Sequence, residues 1–187
     1  MKKLLPAAYF WLLGETVLRP PMLYYALNAH GVEEGEGAVN NETILGWARE
    51  AADAGAGEWL AEFYKEDSIP WCGLFMAMCA ARSAYPVQAD CLSARGWLDW
   101  GREAKTPGLG DVLVFWRGKP DGKSGHVGLY VGEDDLAFHV LGGNQGDQVS
   151  ITRIRKTRLL GVRRYPSAVV GDPVKLKPAG KLSENEA

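Results

Sequence analysis

The chain has 187 residues, of which 47% are hydrophobic and 24% are charged, a composition typical of one globular domain and not of a disordered chain. Its 21 basic and 23 acidic side chains give a formal net charge of −2, which argues against nucleic acid as the main partner. The 3 cysteines are an odd number without CxxC spacing, and the 3 histidines form no metal-binding motif. We therefore predict neither a disulfide framework nor a metal site.

The first 21 residues are set apart by an apolar run. Two lysines precede this run at residues 4–13, an order also found at the start of signal peptides. No small-residue cleavage site follows, and the run is too short to span a bilayer. We expect residues 1–21 to form a helix that docks on the domain or on a partner, with a signal sequence or membrane contact as alternatives.

Helical patterns fill the first half of the domain that we place at residues 22–168. We predict helices over residues 22–27, 44–51, 59–63, 71–81 and 93–104. The fourth of these, over residues 71–81, has no charged side chain on any face, which is typical of a helix buried at the centre of a domain. Asp67 or Ser68 can cap this central helix, and Pro70 suits its first turn.

After Pro107 the pattern changes to short strands separated by turn residues. We predict strands over residues 111–116, 126–131, 137–141, 148–154 and 159–164. Their short connections favour antiparallel pairing, and the Pro-, Gly- and Lys-rich residues 169–187 predict a flexible tail. We therefore expect an α+β domain in which N-terminal helices, including the buried central one, pack on a five- to six-stranded antiparallel sheet.

Cys72 lies in the first turn of the predicted central helix. There the helix dipole and the N–H groups of the first turn stabilise an anion, so a thiolate is favoured. The same N–H groups can form an oxyanion hole for a reacting carbonyl. We interpret Cys72 as a candidate nucleophile that reacts with iodoacetamide well below pH 8.5. The alternative is a small apolar residue of the core.

His126 begins a predicted strand and is the candidate base. Strand alternation places His126 and Gly128 on one face, which leaves room for a ligand above Gly128. A histidine beside Cys72 would accept the thiol proton and later donate it to the leaving amine. A polar group must also orient the imidazole. Asn144 is our first choice for this role, and Gln145 is the alternative because a one-residue change of register exchanges the two.

These residues, in this order, resemble the papain-like peptidoglycan hydrolases of the CHAP and NlpC superfamily, most closely their phage- and prophage-associated branch. The resemblance covers roughly residues 22–165. It is carried by the segments IPWC (69–72), SARGWL (93–98), GDVLVFW (110–116), GHVG (125–128), LGGNQ (141–145) and RLLG (158–161). It implies a papain-like cysteine hydrolase fold, with Cys72 as the nucleophile, His126 as the base and Asn144 as the third catalytic residue.

The resemblance also implies a function. The expected activity is cleavage of an amide bond of the stem peptide, as an amidase or an endopeptidase, at the bacterial cell wall or periplasm and without a metal or cofactor. The protein would be made in the bacterial cytoplasm and would serve phage lysis, tail-associated wall penetration or toxin delivery. Virion or tail proteins would then be partners of the N-terminal segment. Trp71 and Trp116 flank the proposed site in the sequence and are candidates to line a substrate groove, with burial in the core as the alternative. The alternatives are a structural or wall-binding tail module that retains the fold, and a cysteine protease acting on another amide.

Overall fold

The computed structural model describes residues 4–14, 19–168 and 171–184, in which helices precede the main strands. The α-helices are α1 (Pro21–Asn28), α2 (Glu42–Ala51), α3 (Trp59–Phe63) and α4 (Cys72–Arg82). The strands are β1 (Arg102–Glu103), β2 (Val112–Trp116), β3 (Gly125–Glu133), β4 (Ala137–Gly142), β5 (Ser150–Arg155), β6 (Leu159–Arg164) and β7 (Leu182–Ser183). Shorter 3-10 or π-helical turns occur at Ala7–Leu13, Ala52–Ala56, Gly96–Asp99 and Lys156–Arg158. The predicted α+β class is confirmed.

Within the described residues the strands form one seven-stranded sheet in the order β1-β6-β2-β3-β4-β5-β7. Every neighbouring pair is antiparallel except β5 and β7, which run parallel. The prediction of a five- to six-stranded antiparallel sheet is therefore wrong in two respects. The sheet has seven strands among the described residues, and β7 pairs parallel to β5. The strands β1 and β7 have only two residues each, which is too short to produce an alternating pattern in the sequence.

Helix α4 lies at the centre of the core. Its first nine residues are all buried, and it contacts α1, α2, β3 and β4, in agreement with its uncharged faces. The predicted caps are wrong, because Trp71 is the N-cap and makes no side-chain capping bond. Asp67 instead accepts hydrogen bonds from the backbone N–H groups of Gly35 and Asn41, each at 2.7 Å. The first turn of α4 thus has no side-chain cap on its N–H groups.

The segment 93–104, which we predicted to be a helix, is mostly irregular. Its only helical part is the 3-10 turn Gly96–Asp99, and strand β1 lies near its end. Gly101 between them has a φ of +60°, a left-handed conformation that interrupts helical geometry. Trp97 and Trp100 are both buried and donate their indole N–H groups to backbone carbonyls. Their three-residue spacing suits a 3-10 turn as well as an α-helix, so the sequence pattern was ambiguous.

The N-terminal apolar segment packs on the domain over its described part. Residues Ala7–Leu13 form a 3-10 helix that buries Tyr9 and Leu12. Residues 1–3 and 15–18 of this predicted segment lie outside the described residues. We find no helix in the described part of the chain that is long and apolar enough to cross a membrane.

The segment after Gly171, where we predicted a flexible tail, also lies against the sheet over its described part. Glu133 donates its backbone N–H to Val174 O and accepts from Leu176 N, both at 2.8 Å. Further along, β7 extends the sheet beside β5. Pairing with a distant strand edge, and not local sequence, orders this Pro- and Gly-rich segment.

A buried polar network ties the N-terminal segment to the sheet. His139 on β4 has its Nε2 at 2.9 Å from Asp134 Oδ2 and its Nδ1 at 2.7 Å from the Tyr9 hydroxyl. Burial alone would raise the pKa of Asp134, but hydrogen bonds from Arg153 and His139 hold it far below its usual range. Burial lowers the pKa of His139. A neutral His139 therefore donates from Nε2 to the carboxylate and accepts at Nδ1 from Tyr9.

Replacing Tyr9 by phenylalanine should lower the free energy of unfolding by about 2 kcal/mol, because Nδ1 of His139 is left buried without a donor. Urea denaturation followed by tryptophan fluorescence measures this change. Tyr24→Phe is the matched control, since the Tyr24 side chain is 48% exposed and its change should stay within about 0.5 kcal/mol. Equal losses in the two variants would contradict the role of the network.

Candidate active site

A cleft of about 190 Å³ brings together the residues that we predicted to be catalytic. Cys72, His126 and Asn144 all border it. Its other walls come from the chain before α4, from residues 92–94 and from the loop between β2 and β3. These wall residues are Pro70, Leu92, Ser93, Ala94, Arg117, Lys123, Ser124 and Gly125.

Cys72 is the first residue of α4 and is 8% exposed. The close packing of this turn requires Gly73, because a Cβ there would lie 2.7 Å from the backbone oxygen of Leu92 on the cleft wall. The backbone of Val127, of Gly73 and of Cys72 itself acts to lower the pKa of the Cys72 thiol. Val127 follows His126 directly on β3, and both Cys72 and His126 border the cleft.

Burial raises the pKa of the Cys72 thiol, because a thiolate loses its hydration there. The backbone hydrogen bonds and the charge of Arg117 oppose this effect without reversing it. We predicted reactivity well below pH 8.5 from the helix start alone, which lowers the pKa of a thiol. In the structure, burial raises the pKa of Cys72 instead. A neutral Cys72 needs a base at the moment of attack, and His126 is the histidine that borders the same cleft.

Iodoacetamide should therefore alkylate Cys72 slowly at pH 7, with a rate that rises only above the usual cysteine pKa of about 8.5. Mass spectrometry of the peptide carrying Cys72, over a series of pH values, measures this rate. Cys79 and Cys91 are internal controls that should react no faster, because burial raises the pKa of Cys91 to about 11 and also raises that of Cys79. A rate that levels off below pH 8 would show a preformed thiolate–imidazolium pair instead.

His126 is held by Gln145 and not by Asn144. The Nε2 of His126 lies 3.1 Å from Oε1 of Gln145. The Gln145 amide is itself fixed, because the two protons of its Nε2 lie among three backbone carbonyls within hydrogen-bond distance. These carbonyls belong to Val140 (3.2 Å), Gly142 (3.3 Å) and Ser150. Since Oε1 can only accept, the neutral imidazole carries its proton on Nε2, and Nδ1 is the atom that can take up a proton.

Glycines shape the surroundings of this contact. A Cβ at Gly142 would lie 3.2 Å from both His126 Nε2 and Gln145 Oε1, so a side chain there would press on the bond. The space above Gly128, where we predicted room for a ligand, is filled, because Val140 Cγ1 lies 2.6 Å from the position of a Cβ on Gly128. Ligand space therefore lies on the Cys72 side of the histidine.

Asn144 borders the cleft, but among the described residues its side chain bonds to Glu34 and not to His126. Its φ is +54°, so the chain turns there and the strand alternation does not continue. Its Nδ2 donates to Glu34 Oε1 at 3.2 Å, and the same oxygen accepts from Trp71 Nε1 at 2.7 Å. Its Oδ1 is buried without a hydrogen-bond partner in the described part of the chain. Sequence reasoning missed Glu34, which lies in a Gly-rich loop with no pattern to mark it, and burial raises the pKa of Glu34.

The two tryptophans that we predicted to line a substrate groove do not do so. Trp71 is fully buried, with its ring packed against that of Trp47. Trp116 lies at the end of β2 with the Arg158 guanidinium 5.6 Å from its ring centre, and it is not among the residues that border the cleft. For Trp71, proximity in sequence to Cys72 was misleading, because adjacent residues at a helix start point in different directions.

Together, Cys72, His126 and Gln145 have the components of a site for covalent cleavage of an amide. A thiol lies at a helix N-terminus, an imidazole borders the same cleft, and a fixed carbonyl oxygen selects the tautomer of that imidazole. In residues 4–14, 19–168 and 171–184 we find no group of three or more His, Cys, Asp or Glu side chains that could hold a metal ion. Comparisons with protein-family models, with curated proteins and with solved structures find no match to this chain.

Proposed function

We propose that the protein is a cysteine amidohydrolase that cleaves an amide bond of peptidoglycan stem peptides at the bacterial cell wall. The observation that carries the proposal is a single cleft bordered by Cys72 and His126, in which Gln145 holds His126 Nε2 at 3.1 Å. Order along the chain adds to it, since the thiol, the imidazole and the orienting amide follow one another as in papain-like cell-wall hydrolases.

The first half of the reaction forms a thioester. Nδ1 of His126 accepts the thiol proton as the Cys72 sulfur attacks the amide carbon. The carbonyl oxygen becomes an oxyanion, which the uncapped N–H groups at the start of α4 can stabilise. The imidazolium then donates its proton to the amine nitrogen, the C–N bond breaks, and the amine leaves. Gln145 Oε1 accepts from Nε2–H throughout and stabilises the positive charge of the imidazolium.

The second half of the reaction restores the enzyme. His126 accepts a proton from water, whose oxygen attacks the thioester carbon. The C–S bond breaks, the sulfur recovers its proton from the imidazolium, and the acyl fragment leaves as a carboxylic acid. Every proton in this cycle passes through one imidazole nitrogen, so the fixed tautomer of His126 matters in both halves.

The substrate class is supported by the sequence segments that resemble cell-wall hydrolases, and the structure gives several of them a role beside the cleft. Gly125 and His126 of the GHVG segment border the cleft. Gly142 and Gln145 of the LGGNQ segment pack against His126. Arg95 of the SARGWL segment holds the loop between β2 and β3. Residues distributed over the chain thus converge on one site.

Incubation with purified peptidoglycan tests the proposed function. Wild type should release soluble fragments whose masses identify the bond, amidase or endopeptidase, and Cys72→Ala should release none. Cys79→Ala is the matched control, because Cys79 lies on the same helix but is fully buried away from the cleft, so its activity should persist. If wild type releases no fragment but binds peptidoglycan, the protein is a wall-binding module and the proposal fails.

A further inference from the structure

The cleft carries positive charge although the protein as a whole has a net charge of −2. Arg117 and Lys123 border it, whereas no aspartate or glutamate does so among the described residues. In that same part of the chain, neither cation forms an ion pair. Arg117 and Cys72 border the same cleft, and the charge of Arg117 acts to lower the pKa of the Cys72 thiol.

The loop that carries both cations is held in place. Arg95 donates from its guanidinium to three backbone carbonyls of this loop. They belong to Ser124 (2.9 Å), Pro120 (3.1 Å) and Lys119 (3.1 Å). At the base of the loop, Trp116 pairs with Gly125 in the sheet. Because the backbone of this loop is fixed, binding there costs less conformational entropy than it would on a mobile loop.

The cleft also offers a hydrogen-bond acceptor. Asn144 borders the cleft, is 5% exposed, and has a buried Oδ1 without a protein partner in the described part of the chain. A buried acceptor is normally satisfied in a native protein. A peptide N–H is the group that would satisfy this one, so a ligand with both a peptide backbone and a negative charge matches the cleft.

We infer that the substrate carries a free carboxylate beside its scissile amide, and that Arg117 and Lys123 bind this carboxylate. The inference rests on the proposed function and names its substrate class. The enzyme should prefer a stem peptide with a carboxylate at this position to the same peptide with a carboxamide. A guanidinium binds a carboxylate through charge-assisted and often bidentate hydrogen bonds. A carboxamide has nearly the same shape but lacks the charge, so discrimination comes from electrostatics.

Two stem peptides that differ only by carboxylate or carboxamide beside the scissile bond test this inference. Wild type should cleave the carboxylate form with a kcat/KM about tenfold higher at low salt, as expected for a charge-assisted bond, and the preference should shrink as salt rises. Arg117→Gln and Lys123→Gln should each reduce the ratio of the two kcat/KM values. This ratio does not depend on the Cys72 thiol, because both peptides meet the same nucleophile.

Lys119→Gln is the matched control, since Lys119 is on the same loop but does not border the cleft, and the variant should keep the wild-type ratio. Equal kcat/KM values for the two peptides in wild type would overturn the carboxylate site and leave the hydrolase intact. If wild type cleaves neither peptide, calorimetry decides. Tighter binding of the carboxylate form, lost in Arg117→Gln, would support the site without the hydrolase, whereas equal or absent binding would overturn the site.

Discussion

Replacing His126 by alanine should reduce the rate of amide cleavage by about 10⁴-fold, close to the effect of removing Cys72 itself. Catalytic groups that act as a unit lose their joint effect when any one of them is removed. The structure makes this loss severe, since burial raises the pKa of the Cys72 thiol and leaves little thiolate at pH 7 without a base. Steady-state rates on purified muropeptides measure the effect. Retention of more than about a tenth of the wild-type kcat would contradict the role of His126 as the base.

The pH dependence of this variant distinguishes loss of a base from loss of the fold. Above the raised pKa of Cys72 the thiol ionises without help, so the rate of His126→Ala should rise at alkaline pH but stay below the wild-type rate, because no imidazolium protonates the leaving amine. A variant that is inactive because it is unfolded would show no such recovery. Because His126 is 1% exposed, His126→Gln, which fills a similar volume, is a second variant for the same pH series.

Replacing Gln145 by alanine should lower kcat by about 100-fold and change KM little, because a misdirected imidazole loses catalytic geometry and not substrate contacts. Without Oε1 of Gln145, no fixed acceptor holds the proton of His126 on Nε2. Nitrogen-15 NMR of the imidazole should therefore show a mixture of tautomers in Gln145→Ala and one tautomer in wild type. This readout separates positioning of His126 from a general loss of stability.

Asn144→Ala is the comparison that decides between the two amide side chains. Asn144 lies between the cleft and Glu34 and makes no bond to His126 among the described residues, so its loss should leave the wild-type tautomer. Its effect should fall on KM more than on kcat, since its Oδ1 faces the substrate in our proposal. A mixture of tautomers in Asn144→Ala, with wild-type behaviour in Gln145→Ala, would restore Asn144 to the orienting role.

Much of the fold could be predicted because its central elements have strong local patterns. Helix α4 lacks charge on every face of its buried turns, and β2 to β6 are bounded by turn residues. The errors lie where tertiary contacts outweigh local pattern. Strands β1 and β7 exist only because distant strands offer an edge, and Gly101 in its left-handed conformation separates β1 from the preceding turn.

The candidate site could be predicted in part. Cys72 and His126 are distinctive because of where they stand in their elements, and the structure brings both to one cleft. The orienting residue could not be chosen from the sequence, because the positive φ of Asn144 breaks the strand alternation by which neighbours are assigned. The acidity of Cys72 was misjudged for another reason. A helix start is visible in sequence, but the burial that opposes its dipole is not.

The central claim is that the substrate acylates Cys72, and the acyl-enzyme is its most direct test. Wild type is mixed with excess muropeptide and quenched in acid during turnover, and the peptide carrying Cys72 is weighed by mass spectrometry, in parallel with a reaction containing hydroxylamine. We expect the acyl fragment on Cys72 and a hydroxamate of that fragment when hydroxylamine competes with water. Cleavage that continues with no adduct on Cys72 and only carboxylate product would contradict the account.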